Sequence, residues 1–557
     1  MIIGIDVGGT HTDAVLLSSN GIEKKIKVST DSADLFHTIL SSFTQLLDNI
    51  DPKKIQRVVI STTLTTNAIV QKNMDPVGMI VSAGPGIDPK EFRTGKHYYC
   101  VSGSINHRGI EKASVNKMEI EDIAKELKQA GIEYVGVVSK FCVRNPNHEI
   151  LIKRILNKYV KKVFMGHHVS GNLNFPRRIV TTHLNAAVFS LHKSFFEAVQ
   201  QSLSEMGLTI PIQILKADGG TMSLASSMVF PGQTVLSGPA ASIMGAIPYA
   251  PKKKDAIVLD IGGTTTDISF LVDKTPLLEP MGIQRGRYKS LIRSLRTDSK
   301  GIGGDSTVRV KDKELMIGPD RQGPAMAFGG PEPTPTDALV VLGLMPEGHQ
   351  ENARKGIHRI ALELGLTDLE AADQIFKKCC TVILKKTFEM IDKLNSQPVY
   401  TVHEFLEGYK ISPRIILLLG GPAPYFAKKI EALYQIKAVA VPEYSVANAI
   451  GAALARTTCE VSVNADTEQG IVTAHEENFA EPISKTYSDD DLIETAYTLL
   501  KEKAVNSGAD PDNLDEVEVV EFQKFNIVRN FSPRGKILRT KMQLKPGLIK
   551  GFEKVLH

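Results

Sequence analysis

Hydrophobic positions along the chain follow two rhythms. Runs rich in apolar residues at Ile2–Ile5, Arg57–Ile60, Met79–Val81, Ile257–Leu259, Ile415–Leu419 and Lys437–Val441 predict buried strands. Between them the period lengthens to that of a helix. Leu35, Ile39, Phe43, Leu46 and Leu47 predict a helix over Asp34–Asp48, and Leu184, Val188, Leu191, Phe195, Val199 and Leu203 predict a long one over Asn185–Met206. Further helices are expected at Glu119–Ala130, His148–Tyr159, Tyr425–Leu433 and Asp489–Val505, and in pieces from Thr336 to Leu394. Strands alternating with helices over most of the length make this an α/β chain.

One phrase occurs twice. Met1–Val15 reads MIIGIDVGGTHTDAV, and Val258–Ile268 reads VLDIGGTTTDI. Asp6-x-Gly8-Gly9-Thr10-x-x-Asp13 overlays Asp260-x-Gly262-Gly263-Thr264-x-x-Asp267 position for position, 254 residues later. Each copy predicts two strands joined by a glycine turn. In such a hairpin glycine amides and threonine hydroxyls can converge on one anion, because no Cβ holds a phosphate off the backbone. Carboxylates beside a polyphosphate need a cation between them, which points to Mg²⁺. A repeat this long implies a duplicated domain whose copies face one another across a cleft.

Other stretches offer loops to the same chemistry or plain structural readings. Ser61–Ala68, STTLTTNA, suits a helix start capped by a hydroxyl, or a segment lining the cleft. Asp218-Gly219-Gly220-Thr221 follows a strand and reads as a turn or as a third cleft loop. Gly301–Ser306 is a further glycine-rich turn, and Gly318–Pro335 an ordered loop. Small residues over Leu236–Ile247 and Ser445–Ala455 would let two helices pack closely. His107, His148, His167, His168 and His183 lack metal-ligand spacing; in a strand the adjacent pair would diverge, so structural or solvated roles are expected.

Composition removes several classes. At 557 residues the chain is long enough for several domains. A net charge of +4 gives no reason to expect a nucleic acid partner. Five scattered cysteines without a CxxC pair fit a reduced cytoplasm and buried packing thiols. No stretch approaches the apolar length of a membrane helix, and the N-terminus enters a strand directly, so a soluble cytoplasmic protein is expected.

The paired motifs resemble the phosphate loops of the actin, sugar-kinase and heat-shock ATPase superfamily. More narrowly the chain is similar to the hydantoinase A/5-oxoprolinase family over about residues 1–456, through DVGGTHTD, STTLTTNAIVQ, FCVRNPNHE, DGGTMS, LSGPAASIMGA, DIGGTTTD and GGPAPYFAKKI in that order. The resemblance implies duplicated ribonuclease H-like domains facing a nucleotide cleft. A first actin-like half would span 1–250 with an α/β insertion at about 84–178, a second 251–458, and a small α+β appendage 459–557. ATP and Mg²⁺ would be the cofactors. Asp6 and Asp260 would hold the metal and the attacking water or hydroxyl, while Asp13 and Asp267 would support the hairpins from behind. Gly8, Gly9, Thr10, Gly262, Gly263 and Thr264 would bind phosphates, Gly420 and Gly421 the adenosine, and the two small-residue helices would cross at the hinge. Asp305 departs from the glycine run usual in the family.

For the activity, the resemblance implies ATP-dependent opening of a cyclic amide of hydantoin or 5-oxoproline type, with a B-type partner subunit and a homo- or hetero-oligomeric state. A subunit of an ATP-dependent ketone carboxylase is the first alternative, and a reactivating ATPase chaperone the second.

Overall fold

The computed structural model describes residues 1–9, 11–31, 34–70, 74–279, 282–285, 288–396, 410–511, 514 and 516–552. The chain divides into two compact units. The first comprises Met1–Ala240, Glu279–Ser294 and Ala453–Val555; the second comprises Ala241–Leu278 and Leu295–Ala452.

The first unit is built on a six-stranded sheet. Strands β1 (Ile2–Val7), β2 (His11–Ser18) and β3 (Gly21–Ser29) form an antiparallel meander, and β4 (Arg57–Thr62), β5 (Ile212–Leu215) and β6 (Thr221–Ser223) extend it in the order β6-β5-β4-β1-β2-β3. β1 and β4 are parallel, with Asp6 beside Ser61. Ile3, Ile5 and Leu16 meet Phe43, Phe195, Phe196 and Val199 from the helices Leu35–Leu47 and Phe175–Glu205 in one apolar cluster. The second of these helices starts ten residues ahead of the predicted Asn185, because Asn174 caps it and Pro176 fits its first turn. Leu191, assigned to its apolar face, is exposed.

A four-stranded sheet, Lys162–Met165, Tyr134–Ser139, Val77–Ser82 and Tyr98–Cys100 in spatial order, lies in the same unit. His167 and His168 do not diverge in a strand. They sit in the helical turn Gly166–Val169 with ring centroids 4.2 Å apart, and His167 Nδ1 pairs with buried Glu149 at 2.5 Å. Of the cysteines, Cys100 is exposed and the other four are buried, so the expectation of buried thiols holds for all but one.

The C-terminal region forms a five-stranded antiparallel sheet against the helix Asp489–Asn506. Its last two strands, β11 (Val517–Arg529) and β12 (Ser532–Leu544), make a long ribbon.

The second unit repeats the topology of the first. Strands β7 (Ala256–Ile261) and β8 (Thr266–Val272) form an antiparallel hairpin, and β9 (Ile415–Leu419) and β10 (Lys437–Ala440) add to it in parallel, so that β8-β7-β9-β10 mirrors β2-β1-β4-β5. Ile257, Leu259 and Ile268 pack with Ile375, Phe376, Cys380 and Phe426 in its core. The helix Asp368–Ser396 supplies much of that packing. Helices α1 (Ser237–Ala246) and α2 (Ala447–Leu454) touch through their small residues within this unit. A Cβ on Gly245 would lie 2.2 Å from the Ala447 carbonyl oxygen, and one on Gly451 2.2 Å from that of Ala241. Among the described residues no helix is long and apolar enough to cross a membrane.

Candidate functional site

The two copies of the repeated phrase adopt the same local structure. In the first, Asp6 faces Asp13 across β1 and β2, and the Gly8 amide donates to the His11 carbonyl at 3.0 Å. In the second, Asp260 faces Asp267, and the Gly262 amide donates to the Thr265 carbonyl at 2.9 Å. A side chain on Gly8 would meet the His11 oxygen at 2.8 Å, which is why the turn takes glycine. Gly9 and Thr264 are exposed at their hairpin tips; Thr10 lies outside the described residues.

In the first unit Asp6 is nearly buried, and β4 runs beside it into the helix Leu64–Val70. The hydroxyls of Ser61–Thr66 are mostly spent on structure. Thr62 Oγ1 accepts from the Leu64 amide, Thr65 meets Thr234 at 3.1 Å, Thr66 Oγ1 accepts from the Leu236 amide, and Ser237 Oγ donates to the Thr62 carbonyl. They fasten the segment to the turn that opens α1. Ser61 Oγ, beside Asp6 in register, is buried and finds no hydrogen-bond partner among the described residues. Asp13 pairs with Lys27 at 2.5 Å.

In the second unit Asp260 is the meeting point of several elements. Its Oδ2 accepts from Ser242 Oγ of α1 at 2.5 Å and from Asn448 Nδ2 of α2 at 3.1 Å. Gly420, at φ +90°, closes on it from the end of β9. A Cβ there would stand 2.1 Å from the Ile261 carbonyl oxygen and 2.9 Å from Asp260 Oδ1. Gly421 by contrast faces open space, with nothing within 4 Å of such a Cβ. Behind the hairpin, the Asp267 carboxyl is pushed up to about 7 by burial and by the neighbouring Asp260 charge. Protonating one of two adjacent acids relieves their repulsion.

Asp305 was read from sequence only as a departure from the family pattern. Its amide donates to the Gly263 carbonyl at 2.7 Å, and the Gly304 amide donates to the Gly262 carbonyl at 2.9 Å. Its carboxylate covers the hairpin tip, with Oδ2 2.6 Å from where a Gly263 Cβ would be, and Arg321 holds it at 3.0 Å. The glycine-rich run around it was the available signal; the partner Arg321 had none.

Asp218 is a buried ion-pair centre rather than a bare turn. It accepts from Arg293, Lys216, Thr458 and the Gly220 amide. Burial alone would raise its pKa; the cations Lys216 and Arg293 outweigh it and hold the group well below the usual carboxylate range. With Glu460, Glu476 and Lys503 it lines a polar cavity of about 230 Å³ in the first unit.

Among the described residues no group of three or more His, Cys, Asp or Glu is placed to hold a metal. Asp6, and Asp260 held by Ser242 and Asn448, are carboxylates of the kind Mg²⁺ takes one or two at a time while completing its shell with phosphate and water.

Comparison with known proteins gives a consistent picture. The family described as "Hydantoinase/oxoprolinase" matches residues 178–461, and its N-terminal region matches 2–160. The chain is 25% identical over 389 residues to the caprolactamase subunit alpha of Pseudomonas jessenii, covering 62% of this chain and 55% of that one. It is 24% identical over 429 residues to the acetophenone carboxylase gamma subunit of Aromatoleum aromaticum, covering 66% and 58%. The matches thus span less than two thirds of these relatives. Among solved structures, nucleotide-free acetone carboxylase superposes with a TM-score of 0.72 at 17% identity, and the ATP-dependent caprolactamase from Pseudomonas jessenii with 0.68 at 18%. Each covers 99% of this chain and 88% of its own; at these identities the likeness establishes the fold.

Proposed function

The chain belongs to the hydantoinase/oxoprolinase family, and from that premise we propose that it uses ATP to open a cyclic amide. The observation that carries the reading is the structural repeat, in which an aspartate and a glycine amide turn recur with the same register in both units. Glycine hairpins beside a carboxylate suit phosphoryl transfer, where a protein contributes positioning and charge rather than covalent chemistry.

An amide carbonyl carbon is a poor electrophile because the ring nitrogen donates into it. Transfer of the terminal phosphoryl group of ATP to the carbonyl oxygen releases ADP and leaves an imidate phosphate, whose carbon is far more open to attack than that of the amide. Water then adds to the carbon, the C–N bond breaks as the nitrogen takes a proton, and a second water hydrolyses the acyl phosphate that remains to carboxylate and phosphate. Gly8, Gly9, Thr10, Gly262, Gly263 and Thr264 are the groups assigned to the phosphates. Gly420 and Gly421 are assigned to adenosine, the open space over Gly421 suiting a ligand against the backbone. Bound Mg²⁺ would neutralise phosphate charge, with Asp6 and Asp260 as its carboxylates. Ser242 and Asn448 orient Asp260, while Asp13 and Asp267 brace the hairpins.

The fold it shares with acetone carboxylase supports a second reading, a subunit of an ATP-dependent ketone carboxylase. Because the relatives carry subunit names, a second protein is included in the test. Phosphate release from ATP is measured with cyclic amides, and separately with a ketone plus bicarbonate, each with and without a co-expressed neighbour protein. Release that requires the cyclic amide supports the first reading, and release that requires ketone and bicarbonate the second. Release indifferent to both, but stimulated by an unfolded protein client, would move the assignment to a chaperone.

A further inference from the structure

The C-terminal five-stranded sheet ends on β11, which has no strand on its outer side among the described residues. Alternate residues of this thirteen-residue strand therefore turn their backbone N–H and C=O to an open edge, the kind that either recruits another strand or is blunted by charge. This edge mixes charged residues, Glu518, Glu521, Lys524 and Arg529, with exposed apolar ones. Phe522, Phe525 and Val528 are exposed, Val519 and Val520 likewise, and Phe531 at the turn into β12 is wholly in solvent.

We propose that β11 is where two copies of this chain join, antiparallel, into one continuous sheet, with Phe525 opposite Phe525 of the other copy. The argument is the self-complementarity of the strand. Around a two-fold axis normal to the sheet, opposed residues share a face, so the only choice is which residue sits on the axis. With Phe525 there, Phe522 faces Val528, Gln523 faces Ile527, Lys524 faces Asn526 and Glu521 faces Arg529. Phe525 with Phe525, Phe522 with Val528 and Glu521 with Arg529 are combinations that stabilise cross-strand neighbours, Lys524 with Asn526 is polar on both sides, and Gln523 with Ile527 alone is mismatched. With Lys524 on the axis two ammonium groups would oppose each other. Gln523 there sets Phe522 against Lys524 and Glu521 against Phe525, while Asn526 sets Lys524 against Val528.

The backbone allows the pairing. The irregularity between Val519 and Glu521 lies in β11 and ends its regular edge at Glu521. The one between Ile527 and Val528 lies in the facing strand, where the pairing passes from Gly535 to Pro533. β11 therefore alternates evenly from Glu521 to Arg529. Arg529 is half exposed, with its Nε 3.0 Å from Glu468.

The test uses the full chain carrying Cys100→Ser, which removes the exposed thiol. Light scattering over a concentration series should give a dimer mass. Phe525→Cys should form a disulfide-linked dimer on mild oxidation, and Lys524→Cys should do so at least tenfold less, because it opposes Asn526. Phe525→Asp should yield a monomer with an unchanged thermal transition. A monomeric mass at every concentration, a dimer that Phe525→Asp leaves intact, cross-linking no stronger at 525 than at 524, or a co-expressed second protein that alone protects β11 from hydrogen exchange would each overturn the proposal.

Discussion

Gly420 and Gly421 are neighbours with opposite reasons for being glycine. The first combines a left-handed backbone with a carbonyl oxygen 2.1 Å from any added Cβ, so Gly420→Ala should destabilise the second unit by roughly 2 kcal/mol. The second has free space, so Gly421→Ala should leave the urea midpoint unchanged while weakening ATP, read as a raised KM. At the carboxylates, Asp6→Asn and Asp260→Asn keep shape and remove charge; each should cut ATP turnover by about two to three orders of magnitude with folding retained by circular dichroism. A further prediction concerns pH. Burial would raise the pKa of Glu460, but Lys541 and Arg293 together bring it down to about 2, and burial with Lys162 lowers His192 to about 3. Both folded-state values lie below the unfolded ones, so both contributions are present at neutral pH and lost on acidification. His192 acts from about pH 6.5 downward and Glu460 from about 4.5. Urea midpoints should fall over those windows, and His192→Gln should flatten the upper one. The acid Asp260 could be picked out by its repeat; Ser242, Asn448 and Arg321, which hold it and its neighbour Asp305, could not.

Elements were legible where their cause is local. The two hairpins follow from a glycine amide bonding a carbonyl three residues on, and the helix Asp489–Asn506 from a capping box at Ser488 and Asp491. The start of the helix Phe175–Glu205 was missed because its first turns are buried against other elements, which erases the amphipathic period on which the reading depended. The crossing of α1 and α2 belongs to this scale too. Gly451→Leu must push apart two helix backbones, and should cost at least 1–3 kcal/mol by urea unfolding. Asn448, on the same helix, would lose its reach to Asp260, so ATP turnover should fall with stability.

At the scale of the molecule each unit carries its own core, and a nucleotide that binds only the folded chain should stabilise it. At a hundredfold excess over Kd, Mg·ATP should add about 2.7 kcal/mol, seen as a raised melting temperature that Asp260→Asn abolishes. No shift with any nucleotide would remove the ATPase reading. What the amino-acid order by itself determined is the α/β class, the duplication and the pair of acid-bearing hairpins, because these rest on hydrogen bonds and apolar periods spanning a few residues. Only the tertiary structure decided that Asp305 covers the second hairpin tip, that Asp218 is locked by Arg293, and that β11 is left as an open edge. Those outcomes join residues tens to hundreds of positions apart, and no local pattern records which distant side chain arrives.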